Sequence, residues 1–568
     1  MTTPARLDPS RRADAWRRFE EHAFDVLVVG GGITGSGVAL DAATRGLSTA
    51  LVEARDIASG TSSRSSKLIH GGLRYLEQLD FTLVREALRE RELMLTRLAP
   101  HLVHPVPFLY PLTHRGWERP YVGAGLGLYD TLGGTRSLPR HRHLSRRAAL
   151  VLCPALRRDA LVGAVRYYDA QTDDARHTLT VARTAAHYGA VVRTSTRAIR
   201  LVRDAGRVVG AEVLDTETGS TTVIRSAVVV ACAGVWTDEV EALAGVRGRF
   251  DVRASKGVHL VVPRDRIASE VGLILRTETS VLLVIPWGNY WIVGTTDTDW
   301  TLDLVHPAAS RADVDYLLGQ VNRVLIRPLT RADVSGVYAG LRPLLAGESD
   351  ETSRLSRSHA AARPMPGLVM VAGGKYTTYR VMAADAVNLA ASDLDRAVPA
   401  SVTADVPLLG AEGYPALVNQ VDDLAARYAL PTWRIRRLLG RYGSLIFEVL
   451  DPAAEDPALL HPLPDADEYL RAEIRYGATH EGALHLDDLL TRRTRVSIEV
   501  ADRGVRSALD AAECVADVLG WSSSRQAAEV DVYTGAVAAE LRAQESPDDI
   551  AAVAARMLAP DTRAVPRR

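Results

Sequence analysis

The clearest pattern of apolar and polar positions lies near the start of the chain. Residues 23–29, AFDVLVV, form a short and nearly continuous apolar run, which is typical of a buried parallel strand. A glycine turn, GGGITG, follows at 30–35 and opens a helical pattern. A second apolar run then ends at Glu53. This order predicts a complete unit of strand, turn, helix and strand.

The turn carries glycines where a dinucleotide-binding unit needs them. Gly30 permits the tight turn, Gly32 lets a pyrophosphate approach the backbone, and Gly35 lets the helix pack closely on the strand. Glu53 is placed to accept hydrogen bonds from a ribose hydroxyl, and its charge disfavours a 2′-phosphate, which argues against NADP. The motif does not distinguish NAD from FAD, and a glycine-rich structural turn is the alternative.

Two later segments combine a buried strand with glycine. The run SAVVVACAGVWTD at 226–238 ends in Ala233 and Gly234, which suits either a second close approach to a cofactor or an ordinary strand end. The segment GLVMVAGGKYTTYRVMAADAVNLAA at 367–391 again predicts a strand, a glycine turn and a helix. The cofactor unit therefore extends well beyond the first motif.

The pattern changes twice in the remaining chain. Residues 256–334 alternate in strand fashion, as in HLVVP, VLLVIPW and YWIVGTT, and predict a sheet over the substrate. From about residue 400 the apolar positions take helical spacing among many Ala, Leu, Arg and Glu, which predicts a separate helical domain. At roughly 150 residues per domain, the 568 residues suffice for three to four units.

Composition narrows the classes of function. The net charge of −1 gives no overall signal for nucleic acid, so we expect no such partner. Cys153, Cys232 and Cys514 lie far apart, which argues against a disulfide framework or a metal site and suits a reducing cytoplasm. The charged N-terminus lacks the apolar run of a signal peptide, and no uninterrupted run of eighteen apolar residues follows, so we expect no membrane-spanning helix.

Residues 61–77, TSSRSSKLIHGGLRYLE, are dense in hydroxyl groups, glycines and cations. Such a loop can wrap a bound ring system, and a solvated loop is the alternative. Together with the glycine turn, this block resembles the FAD-dependent glycerol-3-phosphate dehydrogenases, the flavoprotein type that feeds a respiratory quinone. Further blocks follow in family order: KGVHLVVPR at 256–264, IPWGNYWIVGTTDTDW at 285–300, YAGLRPL at 338–344 and GGKYTTYR at 373–380.

The resemblance implies an α/β fold in three parts. A Rossmann-like FAD-binding domain of the glutathione-reductase and amino-acid-oxidase kind is expected at 20–105, 165–255 and 335–395. A β-rich substrate or cap domain is expected at 106–164 and 256–334, and an α-helical domain at 400–560. The residues expected at FAD are Gly30, Gly32, Gly35, Glu53, Thr61, Ser62, Ser66, Lys67, Leu68, His70, Ala233, Gly234, Gly374, Lys375 and Thr377.

The implied substrate is sn-glycerol 3-phosphate, whose C2 hydroxyl is oxidised. Its dianionic phosphate needs planar guanidinium groups, and the resemblance implies Arg74, Arg342 and Arg357 for this pocket. Tyr75 is a further candidate for substrate contact. Thr296 either orients the substrate or caps a turn.

For the hydroxyl proton we favour His259, because an imidazole titrates near physiological pH whereas a guanidinium is a poor base. A histidine packed on a strand is the alternative. Arg342 would then stabilise the developing alkoxide, and Lys375 beside a helix start would stabilise the negative charge that the flavin gains on reduction. The chain has only three lysines against 65 arginines, and we expect all three, at 67, 256 and 375, to border the flavin or the substrate.

The family passes electrons to a membrane quinone, which implies a cytoplasmic protein attached peripherally to the inner face of the membrane; a homodimer is left open. Two segments could make that attachment: the basic N-terminal stretch with Trp16 and Phe19, and RGWERPYVGAGLGLYDTLGG at 115–134. Three alternatives remain: a glycerol-3-phosphate oxidase that uses oxygen, an amino-acid or amine oxidase, and a non-catalytic flavin-binding or scaffold protein. Several convergent cations favour a dianionic phosphate over a single carboxylate, and intact substrate motifs disfavour the scaffold.

Overall fold

The first layer of the fold is a largely parallel sheet. The computed structural model describes residues 5–72, 80–133, 138–246, 250–278, 281–345, 359–561 and 563. With strands and helices each numbered in chain order, this sheet contains β1 (Ala23–Val29), β2 (Thr49–Val52), β7 (Val191–Arg193), β8 (Thr196–Asp204), β9 (Arg207–Asp215), β10 (Thr221–Ala231), β17 (His359–Met365) and β18 (Leu368–Gly373). Its main order is β17-β18-β10-β1-β2-β7, and β8 and β9 extend it from β10.

Helices cover both faces of this sheet, which is why its central strands are apolar throughout. One face packs against α2 (Ile33–Thr44), α6 (Asp174–His187) and α9 (Tyr379–Ala391). The other face packs against α1 (Pro9–Glu21) and the β8–β9 hairpin. The strand, turn, helix and strand predicted over 23–53 are β1, α2 and β2, so that prediction is confirmed.

A second sheet, mostly antiparallel, lies beside the first. Its strands are β3 (Leu68–Ile69), β4 (His104–Leu112), β5 (Arg142–Ser145), β6 (Gly163–Gln171), β11 (Val252–Pro263), β12 (Gly272–Arg276), β13 (Val281–Trp287), β14 (Tyr290–Gly294), β15 (Thr298–Trp300) and β16 (Gly336–Leu345). The predicted domain boundaries place β6 and β16 almost wholly with the cofactor domain, but both strands pair in this sheet. Local sequence patterns do not encode such long-range pairing.

Helices surround the second sheet. They are α3 (Phe81–Leu93), α4 (Glu118–Gly133), α5 (Arg146–Leu152) and α8 (Arg311–Asn322). The short helix α7 (Thr237–Leu243) instead packs on the first sheet through Val240. Leu317 of α8 packs with Val258 and Leu260, so α8 covers one face of β11. The odd-numbered residues of β11 lie on the opposite face, where Val261 packs with Ile285. The two faces of β11 therefore meet different surroundings.

The C-terminal part is helical, as predicted from about residue 400. It comprises α10 (Tyr414–Val418), α11 (Val421–Tyr428), α12 (Thr432–Tyr442), α13 (Ile446–Leu450), α14 (Arg471–Thr479), α15 (Val496–Glu499), α16 (Ala508–Leu519), α17 (Ser523–Glu545) and α18 (Asp549–Arg556), with a small hairpin of β19 (Pro462–Leu463) and β20 (Ala466–Leu470). Its core has two clusters, one around Leu489 and Val515 and one around Leu438 and Tyr476. In the described part of the chain, no helix combines the length and apolarity that a membrane crossing requires.

The N-terminal helix α1 has its aromatic residues turned into the protein. Phe19 is 1% exposed, and the Trp16 ring lies under the Arg193 guanidinium at 4.5 Å. Arg12 forms an ion pair with Asp215 at 2.8 Å. A helix that lies on a membrane presents such residues to the lipid. The structure therefore contradicts the candidacy of this stretch as a membrane anchor.

Candidate active site

The glycine turn after β1 is built around close backbone contacts. Gly30 has a φ of +112°, and a Cβ there would lie 2.5 Å from the Cys232 carbonyl oxygen. A Cβ on Gly35 would lie 1.9 Å from the Gly30 carbonyl oxygen. Gly32 caps α2 without a side-chain hydrogen bond to the helix. Only glycine fits at positions 30 and 35. The start of α2 presents backbone N–H groups of the kind that hold a pyrophosphate.

Glu53 closes the other side of this turn. Its Oε2 accepts a hydrogen bond from the Gly31 N–H at 2.6 Å, and its Oε1 accepts one from Arg55 N–H at 2.8 Å. Burial raises the pKa of the carboxyl group, although these two N–H groups act in the opposite direction. The carboxylate thus lies at the turn itself, as expected for a group that binds a ribose.

The 61–67 part of the hydroxyl-rich loop lies across the same turn. Ser62 Oγ accepts a hydrogen bond from Ile33 N–H at 2.9 Å, at the start of α2. Thr61 Oγ1 donates to the Leu341 carbonyl at 2.6 Å, which joins the loop to β16. Further along, Ser66 Oγ lies 2.8 Å from His259 Nε2. The loop therefore connects the dinucleotide turn with the second sheet.

The other predicted cofactor residues converge on this region. Ala233 and Gly234 follow Cys232, whose carbonyl contacts Gly30, and Gly234 has a φ of +58°. His70 N–H donates to Thr377 Oγ1 at 3.2 Å, which brings the end of β3, next to Leu68, against the start of α9. Lys375 Nζ donates to the Gly71 carbonyl at 3.4 Å. These contacts, with the glycines that leave no room for a Cβ, fit a bound dinucleotide.

One face of the second sheet carries Arg342 and His259. Arg342 on β16 is paired in register with Ser255, and Tyr338 with His259, so all four side chains share a face. A Cβ on Gly340, between Tyr338 and Arg342, would lie 2.6 Å from the Arg64 carbonyl oxygen. This face therefore lies directly against the 61–67 loop.

The Arg342 guanidinium is held by oxygen acceptors. Nη2 donates to Thr295 Oγ1 at 3.0 Å and to the Thr296 carbonyl at 3.1 Å, and Nη1 lies 3.3 Å from Asp297 Oδ1. Thr296 Oγ1 accepts a hydrogen bond from Val258 N–H at 3.0 Å. The Thr296 hydroxyl is thus bound within the sheet, whereas its carbonyl orients the cation.

His259 is buried beside this cation. Its ring stacks on Tyr338, with ring centroids 4.8 Å apart. Nε2 contacts Ser66, and among the described residues Nδ1 has no hydrogen-bond partner. Burial lowers the pKa of the imidazole well below its ordinary value, and the charges of Arg342 and Lys67 lower it further. The expectation that this histidine titrates near neutral pH is therefore wrong, because the sequence does not reveal its burial.

The three lysines have different surroundings. Lys256 lies on the opposite face of β11 from His259, where Nζ donates to Asp313 of α8 at 2.6 Å. The expectation that it borders the site is wrong, because residues an odd number of positions apart on a strand point to opposite faces, and 256 and 259 are three positions apart. Lys67 is buried and its Nζ donates to Asp174 at 2.7 Å. Lys67 and Lys375 both contact the backbone of the 61–77 loop, Lys67 at the Ser63 carbonyl and Lys375 at the Gly71 carbonyl.

Three predicted substrate residues, Arg74, Tyr75 and Arg357, lie outside the described residues. Their roles stay predictions. Sequence analysis also missed a buried group behind Gly71: Gly71 N–H donates to Tyr129 Oη at 2.9 Å, and that hydroxyl donates to Asp169 at 2.7 Å. Asp169 in turn pairs with Arg91. Nothing in the local sequence marks this group, since its members come from α3, α4 and β6.

Comparison with known proteins agrees with this arrangement. The model of the FAD dependent oxidoreductase family matches residues 25–380, and that of the C-terminal domain of alpha-glycerophosphate oxidase matches residues 401–526. The chain is 62% identical to a glycerol-3-phosphate dehydrogenase of Mycobacterium leprae (strain TN), over 99% of this chain and 96% of that protein. It is 36% identical to the mitochondrial glycerol-3-phosphate dehydrogenase of Homo sapiens, over 91% of this chain and 72% of that protein.

A solved structure has a similar fold. The glycerol-3-phosphate dehydrogenase of Bacillus halodurans, complexed with FAD, is similar with a TM-score of 0.77 and 29% identity. The match covers 92% of this chain and 96% of that one.

Proposed function

Because this chain belongs to the glycerol-3-phosphate dehydrogenase family of FAD-dependent oxidoreductases, we propose that a membrane quinone takes the electrons from its flavin. The reaction at the flavin is the oxidation of sn-glycerol 3-phosphate to dihydroxyacetone phosphate. Bound FAD supplies the acceptor for the hydride that leaves C2. The residues of the chain must hold the phosphate, take the hydroxyl proton and stabilise the charge left on the oxygen.

His259 and Arg342 divide that work. The lowered pKa keeps the imidazole neutral, so Nδ1 is a proton acceptor when Nε2–H donates to Ser66, a tautomer that we assign from the hydrogen bonds. Arg342 stays charged and offers N–H groups to the oxygen that becomes the alkoxide. The hydroxyl proton passes to His259 and the hydride leaves C2, which produces the ketone. Lys375, beside Gly71, would place its positive charge next to bound FAD.

The observation that carries the quinone proposal is the position of α4. Its inner side buries Val122, Leu126 and Tyr129, and the Tyr129 hydroxyl accepts a hydrogen bond from Gly71 N–H of the 61–77 loop. Trp117, just before the helix, and Tyr121, in its first turn, are about half exposed, at 55% and 50%. Apolar faces that point away from the core mark contacts with lipid or with partners. An exposed aromatic surface thus lies at the helix whose inner side contacts Gly71 of the 61–77 loop.

Basic residues lie in the chain segment that follows α4. Arg140, Arg142, Arg146 and Arg147 are exposed in the segment that follows α4. The segment lies against the helix, because His141 Nδ1 is 2.7 Å from Asp130 and a Cβ on Gly123 would lie 2.8 Å from the His143 ring. Aromatic residues beside arginines are typical of a helix that lies on an anionic bilayer. We therefore assign α4 with residues 139–147 as the membrane-docking surface.

The function is tested on the purified yellow protein without oxygen. We expect sn-glycerol 3-phosphate to bleach the flavin absorbance, and glycerol and amino acids to leave it unchanged. Re-oxidation should then be faster with a quinone analogue than with oxygen. Failure of the bleaching step would exclude this substrate, and equally fast re-oxidation by oxygen would favour the oxidase alternative.

The docking surface is tested with the double variant Trp117→Ser/Tyr121→Ser. We expect at least about tenfold weaker binding to vesicles that contain phosphatidylglycerol, because two interfacial aromatic side chains are lost. Sedimentation with vesicles measures the binding. Trp433→Ser, which removes a similarly exposed tryptophan from α12, is the matched control and should bind like the unmodified protein. Equal binding by the double variant would contradict the assignment.

A further inference from the structure

Three buried arginines of the C-terminal domain reach into the cofactor domain. Arg492, Arg493 and Arg495 lie at the end of a helical turn and just before α15, and each is at most 4% exposed. Arg492 Nε donates to Asp56 at 2.6 Å, and Arg493 donates to both oxygens of Asp56 at 2.7 Å. Asp56 is fully buried, and Arg492 and Arg493 together bind both of its carboxylate oxygens.

Asp56 belongs to the loop that leads from Glu53 back to the glycine turn. Two residues further on, Ala58 N–H donates to the Gly31 carbonyl at 3.0 Å. Ala58 has a φ of +65°, a left-handed conformation that costs energy in a residue other than glycine. The surrounding contacts must therefore hold this loop in place, and the bidentate pair of Asp56 with Arg493 is one of them.

Arg495 holds the second loop of the cofactor site. It donates to Asp173 and Asp174 at 2.5 Å each, and to the Ser63 carbonyl at 3.3 Å. Asp174 in turn accepts hydrogen bonds from Ser65 N–H at 2.8 Å and from Lys67 Nζ at 2.7 Å. Burial raises the pKa of Asp173, but the charges of Arg495, Arg441 and Lys67 together outweigh this effect and lower that pKa.

A buried ion pair is weak grounds for stability, because desolvation of both charges offsets their attraction. Such a pair does fix geometry, since removal of one partner leaves the other charge buried and unpaired. In the cofactor domain the three arginines bond to Asp56 of the Glu53–Ala58 loop, to the Ser63 carbonyl of the Ser63–Lys67 loop, and to Asp173 and Asp174. Arg492 and Arg493 also bond within their own domain, to Asp487, Asp488 and the Glu481 carbonyl. Among the described residues, their side-chain bonds to the cofactor domain thus go to the two loops and to the start of α6, where Asp174 holds Ser65 and Lys67.

We propose that Arg492, Arg493 and Arg495 are positioning residues for FAD, so that docking of the C-terminal domain and binding of the cofactor are coupled. The domain holds both loops in the shape that receives the cofactor, and by linkage the cofactor strengthens the docking. This inference concerns only the binding of FAD and does not depend on the electron acceptor or on the membrane.

The test measures release of FAD from purified holoenzyme, with no substrate or quinone present. Flavin fluorescence follows the release, and far-UV circular dichroism follows the helices in the same urea series. We expect Arg495→Gln to release FAD at least tenfold faster at urea concentrations that leave the helix signal unchanged. Arg475→Gln is the control, because Arg475 forms a bidentate pair with Asp517 inside the C-terminal domain, at 2.9 and 2.7 Å.

Milder variants keep the proposal testable if Arg495→Gln does not fold. Arg495→Lys keeps the charge but loses the forked geometry, and Ser65→Ala removes one hydrogen bond to Asp174 from the loop itself. Both should release FAD faster than the control variant without loss of helix signal. Release at the unmodified rate in all three variants, or faster release only in step with loss of helix, would overturn the proposal.

Discussion

Replacement of Arg342 by glutamine should lower kcat for sn-glycerol 3-phosphate by about 10²–10³-fold and leave the FAD content unchanged. The guanidinium is fixed by Thr295, the Thr296 carbonyl and Asp297, so it is already oriented before the reaction starts. Charge on the substrate oxygen develops only on the way to the product, and a preorganised cation stabilises it most at that point. Steady-state kinetics with an artificial electron acceptor measures this effect.

The division of the loss between kcat and KM separates the two roles predicted for Arg342. A group that stabilises the alkoxide lowers kcat when it is removed, whereas a phosphate anchor raises KM and leaves kcat nearly intact. Arg342→Lys should recover only part of the rate, because an ammonium lacks the planar fork that Thr295 and Thr296 hold. Arg253→Gln on the neighbouring strand β11 is the control, since that arginine pairs with Asp299 in an exposed position. A kcat within a few-fold of the unmodified enzyme would exclude Arg342 from the chemical step.

His259→Ala should lower kcat by about 10²–10⁴-fold, the usual contribution of a general base. The dependence on pH has a definite sign. Burial lowers the pKa of this imidazole well below 6.5, so the group stays neutral and able to accept a proton through neutral pH and below its ordinary titration range. The rate of the unmodified enzyme should show no titration at 6.5 and should fall only at more acidic pH, where the imidazole becomes protonated.

Two further variants show whether the loss of rate is specific to His259. Ser66→Ala removes the contact to Nε2, so it should give a smaller loss of rate and a shifted acid limb. His461→Ala changes an exposed histidine of the C-terminal domain and should leave both the rate and the profile unchanged. An unchanged kcat for His259→Ala between about pH 6 and 9 would show that another group takes the proton.

The parts of the fold that were predictable are those encoded within short stretches of chain. The apolar run before Gly30, the glycine spacing and the acid at 53 specify β1, α2 and β2, because turn geometry and helix packing depend on neighbouring residues. The shift to helical spacing near residue 400 likewise predicts the C-terminal domain. The site motifs were recognisable because each lies in one continuous block, although Arg74, Tyr75 and Arg357 lie outside the described residues.

Other features depend on which distant segments meet. The sequence places Lys256 and His259 in one motif, yet register with β16 and the cover of α8 put them on opposite faces of β11. Both segments proposed for the membrane contain aromatic residues among arginines, and burial of Phe19 against the core removes one of them from consideration.

The amino-acid sequence determines the cofactor unit, the family and the blocks that form the site, because those depend on local geometry. Only the tertiary structure decides the electrostatics and the supports of the site: the lowered pKa of His259, the acceptors around Arg342 and the arginines that hold Asp56 and Asp174. The physical reason is that desolvation and ion pairing depend on the distances between side chains that lie from tens to hundreds of residues apart in the chain.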